Sequence, residues 1–225
     1  MSKAILILGE SGAGKSTSIE TLDPKSTAIV NVVGKDLPFK GWKSKYVVYN
    51  KSDNSGNMLE THQAASIANF LKHIDSTRPD IKTIVIDDAQ YLMSFDFMAR
   101  AKEKGFDKFT DMALNYFTVI NTAKSLRKDL NVFILSHVES GTDVYGDKKI
   151  KIKTLGKLID DKITIEGLFT IVLLAQKETV DDKVRHYFLT NNDGSSTCKS
   201  PKGMFDEKIP NDLQYVLNKI EEYEN

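Results

Sequence analysis

Eight consecutive residues, Gly9-Glu10-Ser11-Gly12-Ala13-Gly14-Lys15-Ser16, follow the spacing G-x-x-x-x-G-K-[S/T], and that spacing suits a backbone wrapped around a phosphate, a P-loop. The glycines let successive N–H groups point inward at an anion. The closing lysine supplies a cation for the β- and γ-phosphates, and the hydroxyl beside it takes one position on a bridging Mg2+. The flanks agree with this reading. Residues 4–8 are an apolar run suited to a buried parallel strand, and residues 16–22 read as the first turns of a helix, whose N-terminus would add its positive dipole end. The expected nucleotide-binding set is Gly9, Glu10, Ser11, Gly12, Ala13, Gly14, Lys15, Ser16 and Thr17. Within it Ser16 is a metal ligand and Lys15 also serves catalysis.

The rest of the chain alternates strand and helix patterns. Apolar runs predict strands over 27–33, 45–49, 83–88, 131–137, 169–175 and 185–189. Helical spacing of Ala64, Ile67, Ala68, Leu71 and Ile74 predicts a helix that Arg78-Pro79 ends; further helices are expected over 91–103, 110–128 and 211–223. A basic segment over 139–157 and a Gly/Ser/Pro-rich loop over 191–203 separate the later elements. Such alternation implies an α/β fold, a mostly parallel central sheet with helices on both faces, and one domain over 1–225. In such a sheet the ligand sits at the carboxyl ends of the strands, where Gly9, Asp87 and Ser136 fall.

Charge narrows the classes of partner. Thirty-one basic and thirty-one acidic residues balance, so no global field draws the chain to nucleic acid or anionic lipid, and any such attraction is local. The basic side is nearly all lysine, with only Arg78, Arg100, Arg127 and Arg185 as arginines. The single cysteine, Cys198, excludes an internal disulfide and suits a reducing compartment. The run over 168–175 is too short to span a bilayer, and the N-terminus shows no targeting pattern, so a cytoplasmic location is expected.

Four apolar residues followed by Asp87-Asp88 resemble a Walker B strand once a P-loop lies upstream. Asp87 is then the carboxylate that holds Mg2+ through a water. Asp88 either orients the attacking water or caps the next helix. A glutamate base is usual either directly after the Walker B aspartate or at the end of the strand beside the P-loop strand. Neither place holds one here, which leaves Asp36, Asp53 and Glu10 as competitors of Asp88. Ser136-His137 ends the next strand, where a polar residue can sense the γ-phosphate. In Lys148-Lys149-Ile150-Lys151-Ile152-Lys153, Lys alternates with Ile. As a ribbon this would carry lysines on one face, either as a solvated edge or as a phosphate-backbone contact for single-stranded DNA.

Taken in order, the P-loop, Asp87-Asp88-Ala89-Gln90-Tyr91-Leu92, Leu135-Ser136-His137, Lys153-Thr154-Leu155-Gly156-Lys157 and Lys199-Ser200-Pro201 resemble the phage-encoded AAA/RecA-like P-loop ATPases of the Sak single-strand-annealing group, over nearly the whole chain. The resemblance implies a RecA-like core, ATP with Mg2+ and action on single-stranded DNA in phage recombination or strand annealing. A homo-oligomeric ring or filament and a phage single-strand-binding protein as partner are also implied. Such ATPases complete one subunit's site with a basic residue of the next, a role for which Lys199 is the candidate, the alternative being one more solvated surface lysine; the expected catalytic set is Lys15, Asp88, His137 and Lys199. A P-loop small-molecule kinase is the alternative, and scattered arginines argue against its usual lid; a nucleotide-gated DNA-binding protein with little turnover is another. Lys15→Ala is expected to weaken ATP binding by about a hundredfold or more, the cost of deleting a charge paired with phosphate. Calorimetry showing unchanged affinity in a folded variant would remove the P-loop reading.

Overall fold

Strand β1 (Lys3–Gly9) explains its own unbroken apolar run. Successive side chains of a strand point to opposite faces. Ile5 and Ile7 enter a core with Ile19, Leu22, Leu213, Val216 and Ile220, while Leu6 and Leu8 enter another with Ile67, Leu71, Ile74, Tyr116, Val119 and Ile120. A strand covered on both sides leaves no face for polar residues. The computed structural model describes residues 1–142, 146, 148–155 and 163–225. The Lys148 side chain lies outside that set, as do Gly156 and Lys157 of the expected basic segment.

Among the described residues one sheet contains β1, β2 (Thr27–Asn31), β3 (Met58–Glu60), β4 (Thr83–Asp87), β5 (Asn131–Thr142), β6 (Lys148–Ile152), β7 (Ile171–Val180), β8 (Lys183–Leu189) and β9 (Lys208–Pro210). Their order is β3-β2-β4-β5-β1-β7-β8-β9, with β6 paired to β5. The strands from β3 to β7 in that order are parallel, and β6, β8 and β9 are antiparallel to their neighbours. Helices α2 (Ala64–Thr77), α3 (Tyr91–Ala99) and α4 (Asp107–Ser125) line one face, and α5 (Leu213–Glu224) the other; α1 is the short Trp42–Lys45. This is the mostly parallel α/β sheet, covered on both faces, that the alternation predicts. Register brings Gly9 level with both His137 and Ala175, and Asn31 level with Asp87. The polar strand ends thereby share one edge.

Several boundaries differ from expectation for identifiable reasons. The helix expected over 16–22 is a single 3-10 turn, Thr17–Thr21, because its residues are mostly Ser and Thr, poor helix formers, and Asp23-Pro24 stops it. One turn carries little dipole, so phosphate binding falls to the loop's own N–H groups and Lys15. No strand forms over 45–49: Lys45 ends α1, and Val48 makes only an isolated bridge to Met58. Met58–Glu60 takes the edge place beside β2 instead, anchored by the buried Asn57, whose amide donates to Pro24 O (2.8 Å), Lys45 O (3.1 Å) and Thr27 O (3.3 Å). The helix expected over 91–103 stops at Ala99, and the next begins at Asp107.

Two other segments are more ordered than their composition suggests. The Gly/Ser/Pro-rich stretch pairs through Ser196 with Ile150 and through Lys199 with Val172. Strand β5 continues past His137 into an antiparallel hairpin with β6. The β7–β8 hairpin closes on Asp181 and Asp182, both at positive φ (51° and 58°), which is the backbone of a two-residue turn that matches strand twist.

Arg127 ties one end of the structure together. Its guanidinium donates to the carbonyls of Ile74 (2.8 Å), Asp75 (3.1 Å), Arg78 (3.0 Å) and Ile81, capping the end of α2 and the approach to β4, while its N–H donates to Asp75 Oδ1 (2.6 Å). Planar geometry lets one side chain serve four acceptors. Arg127→Ala is expected to cost about 3 kcal/mol, roughly 10 °C in melting temperature, with little recovery in Arg127→Lys. Thermal unfolding followed by circular dichroism checks both.

Candidate functional site

The P-loop leaves β1 at Gly9 and takes two left-handed steps, Gly12 (φ 75°) and Gly14 (φ 96°). Gly14 also has no space to spare: a Cβ there would lie 3.0 Å from Asn211 Oδ1 and 3.1 Å from the His186 ring. His186 reaches over from β8, its Nε2 3.3 Å from Gly12 O. Lys15 is only 5% exposed and folds back on the loop, its Nζ donating to Gly9 O (2.8 Å) and Glu10 O (3.0 Å). Burial pushes its pKa down to about 8. Beside the loop opens a pocket of about 290 Å3 lined by Ser11, Gly12, Gly14, Lys15, Ser16, Thr17, Lys35, Asp36, Pro38, Asp88 and His137. Of the expected nucleotide-binding set, Gly9, Glu10 and Ala13 stand behind this lining, the first two as carbonyl acceptors for Lys15 and Ala13 buried in the core.

Ser16 Oγ donates to Asp87 Oδ1 at 2.9 Å, linking the P-loop to the end of β4 although β5 lies between their strands. The other oxygen, Asp87 Oδ2, is buried with no hydrogen-bond partner among the described residues. Burial raises the Asp87 pKa, and the neighbouring Asp88 adds to it. A hydroxyl and a carboxylate with one orphaned buried oxygen, beside a phosphate loop, fit a hydrated Mg2+, whose charge would satisfy both.

Asp88 turns the chain after β4 in the left-handed region, φ 59°, a conformation Asp tolerates at a cost of about 1 kcal/mol. Its carboxylate is almost fully buried. Lys35 forms an ion pair with Oδ2, and His137 Nε2 stands 3.3 Å from Oδ1. Burial opposes the Asp88 charge, but His137 and Lys35 outweigh it and hold the carboxyl below the usual carboxylate range. The helix-capping role for Asp88 fails, since Gln90 precedes α3 and no side chain caps that helix. Gln90 instead accepts from the His137 N–H at 3.1 Å, and Tyr91 packs edge-on against the His137 ring at 6.0 Å.

Lys35, Gln90, His186 and Asn211 escape the sequence reading. Only Lys35 had a signal, since it follows β2 where a carboxylate was sought and a cation stands. Among the rival carboxylates, Asp36 lines the pocket but is exposed and faces Lys43 at 3.5 Å. Asp53 is held by Ser55 in a turn near the outer edge of the sheet, four strand places from β1, and Glu10 is exposed. Strand β2 lies beside β4, and the neighbours of the P-loop strand β1 are β5 and β7.

The lysine ribbon is docked rather than free. Ile150 and Ile152 pack on the core, Ile150 N donates to Ser195 O (2.8 Å), and Ile152 N to the buried Glu166 Oε1 (2.9 Å). Lys149 is half-buried, Lys151 faces Glu139 at 3.4 Å, and Lys153 is exposed with its N–H on His137 O (2.8 Å). Lys148 holds the register position opposite Thr142. Lys199, expected to project from a loop, is half-buried and exchanges two backbone hydrogen bonds with Val172 (2.8 and 3.0 Å). Val172 is level with Leu6, three residues below Gly9 in register, or about 10 Å towards the other end of the sheet.

Residues 1–201 match the family model described as AAA domain. No curated protein matches the chain. Among solved structures, it is similar to the flagellar accessory protein FlaH of Methanocaldococcus jannaschii, with 18% identity, a TM-score of 0.44, and coverage of 92% of this chain and 83% of that one. It is also similar to a KaiC-like protein of Pyrococcus horikoshii OT3, with 12% identity, a TM-score of 0.45, and coverage of 83% of this chain and 77% of that one. The strand order is that of the mostly parallel α/β sheet anticipated from the sequence, with β5 interleaved between the P-loop strand and the strand of Asp87.

Asp87→Asn should leave metal-free nucleotide binding intact while lowering the Mg2+ affinity of the nucleotide complex about 10- to 100-fold. Titration of Mg2+ against a bound fluorescent nucleotide reads this directly, and equal affinities would take Asp87 out of the metal site.

Proposed function

The chain belongs to the AAA domain family, whose model its residues 1–201 match, and on that premise we propose that it is a Mg2+-dependent ATPase acting on single-stranded DNA. The observation that carries the nucleotide half is the hydrogen bond from Ser16 to Asp87, with the second Asp87 oxygen left over beside the P-loop. Bound Mg2+ would supply charge neutralisation between the β- and γ-phosphates. The chain's own residues do the rest. Lys15 leaves the loop carbonyls for the phosphates, Asp87 and Ser16 would hold the metal, and Asp88, with His137 beside it, accepts the proton of the attacking water.

Support for the DNA half is the β5–β6 hairpin just beyond His137, along which Lys149, Lys151 and Lys153 alternate with the core-packed Ile150 and Ile152. The resemblance to phage annealing ATPases adds a role in phage recombination in the host cytoplasm, a ring or filament of identical subunits with Lys199 acting on its neighbour, and a single-strand-binding protein as partner. One observation favours the nucleotide-gated protein with little turnover: Asp88 is already paired with Lys35, with the His137 ring beside it, rather than free. The small-molecule kinase gains nothing, because no arginine lines the described pocket; Arg78, Arg100 and Arg127 bond to Asp80, to Glu103 and Asp111, and to the end of α2.

ATP turnover measured with and without single-stranded DNA separates these readings, and the expected result is stimulation by DNA of any sequence. Replacing Lys148, Lys149, Lys151 and Lys153 with Gln should weaken DNA binding and reduce its log–log salt slope by about 2 to 3, from roughly 0.7 per phosphate contact. ATP affinity should not change. An unaltered slope returns the hairpin to a solvated edge.

A further inference from the structure

We propose that Lys35 is a catalytic residue of this site, the cation that contacts the γ-phosphate of ATP bound to its own subunit. The proposal rests on the ATPase reading and adds to it a residue that supplies in cis what Lys199 was expected to supply from a neighbour.

Three observations converge on Lys35. It lines the same pocket as Lys15, Ser16 and Thr17, and among the described residues no other lysine and no arginine joins Lys15 and Lys35 in that lining. Its backbone is fixed: the buried Asn31, at the end of β2, donates from Nδ2 to Lys35 O (2.8 Å) and accepts from Gly34 N at Oδ1 (3.1 Å), while Gly34 turns at φ 70°. A buried amide committed on both sides to one turn holds that turn at the mouth of the site. The side chain itself is open to an arriving ligand, 43% exposed against 3% for the Asp88 carboxylate it pairs with.

That pairing is exchangeable. His137 Nε2 lies 3.3 Å from Asp88 Oδ1, an oxygen with no hydrogen-bond partner among the described residues, so a γ-phosphate that takes the lysine leaves the carboxylate free to accept a hydrogen bond. Lys35 then lies where charge builds up as water attacks. One O–P bond forms at the γ-phosphorus, the bond to the β,γ-bridging oxygen breaks with its electron pair remaining on ADP, and the water's proton passes to Asp88. Lys35 makes and breaks no covalent bond. It exchanges a carboxylate for phosphate oxygens, and in doing so frees Asp88 for the water.

Binding and turnover of the full chain test this. Lys35→Gln should weaken ATP binding tenfold or more while leaving ADP binding unchanged, because only ATP carries the group that Lys35 contacts, and should lower kcat by about a hundredfold. Lys35→Arg should retain most of the preference for ATP. Asn31→Ala should lose part of it, which a melting curve separates from simple unfolding. Mixing Lys35→Gln with Lys15→Ala subunits should restore no activity, since each site would still lack one of its own lysines. Equal loss of ATP and ADP affinity, unchanged turnover in Lys35→Gln, or rescue in the mixture would each overturn the proposal. If Lys35→Gln matches wild type while Lys15→Ala loses both nucleotides, the ATPase reading stands and Lys35 alone falls. A wild-type protein that binds no ATP sinks both.

Discussion

Two carboxylates in succession at the buried end of β4 are the constraint around which the rest of the site is arranged. Unit charges of like sign about 5 Å apart repel by about 3 kcal/mol at an effective dielectric of about 20, and burial adds to that. Asp87 and Asp88 are tolerated because each is given a separate environment. The chain turns left-handed at Asp88; Asp87 takes the hydroxyl of Ser16, and Asp88 takes Lys35 with His137 beside it. The sheet order makes this possible. With β5 between β1 and β4, His137 comes from one side, and Lys35 comes from β2 on the other.

The same arrangement shows how polar residues in and around the loops cooperate without being near in sequence. Asn31 fixes the turn that carries Lys35, Gln90 fixes the backbone of His137, and Glu166 fixes β6 against the stretch around Thr197. Each is a side chain with several hydrogen-bonding atoms placed where a loop's backbone would otherwise lack partners. The loops are thus held by the sheet rather than by their own composition.

The sequence made legible what depends on local pattern. The P-loop, the strand ending in Asp87 and the strand ending in His137 are written in contiguous residues, and periodicity located α2, α4 and α5 to within a few positions. What escaped depends on pairing at a distance. Residues 45–49 have the composition of a strand, but Asn57 gives its edge place to Met58–Glu60. Lys199 looks like a loop residue until Val172 pairs with it. Lys35, His186 and Asn211 carry no motif, and their relation to the site exists only once β2, β8 and the segment before α5 arrive there. Local propensity is silent about such arrivals.

The two-residue turn of the β7–β8 hairpin has a consequence for how this chain can vary. Its length sets the register that puts Lys177 opposite His186, and with it the face from which His186 meets Gly12. One residue inserted into the turn without a compensating bulge would send every β8 side chain to the opposite face, leaving the phosphate loop without its wall. A different side chain at Asp181 or Asp182 alters only how easily the turn forms. The hairpin is therefore a ruler: open to change in spelling, closed to change in count.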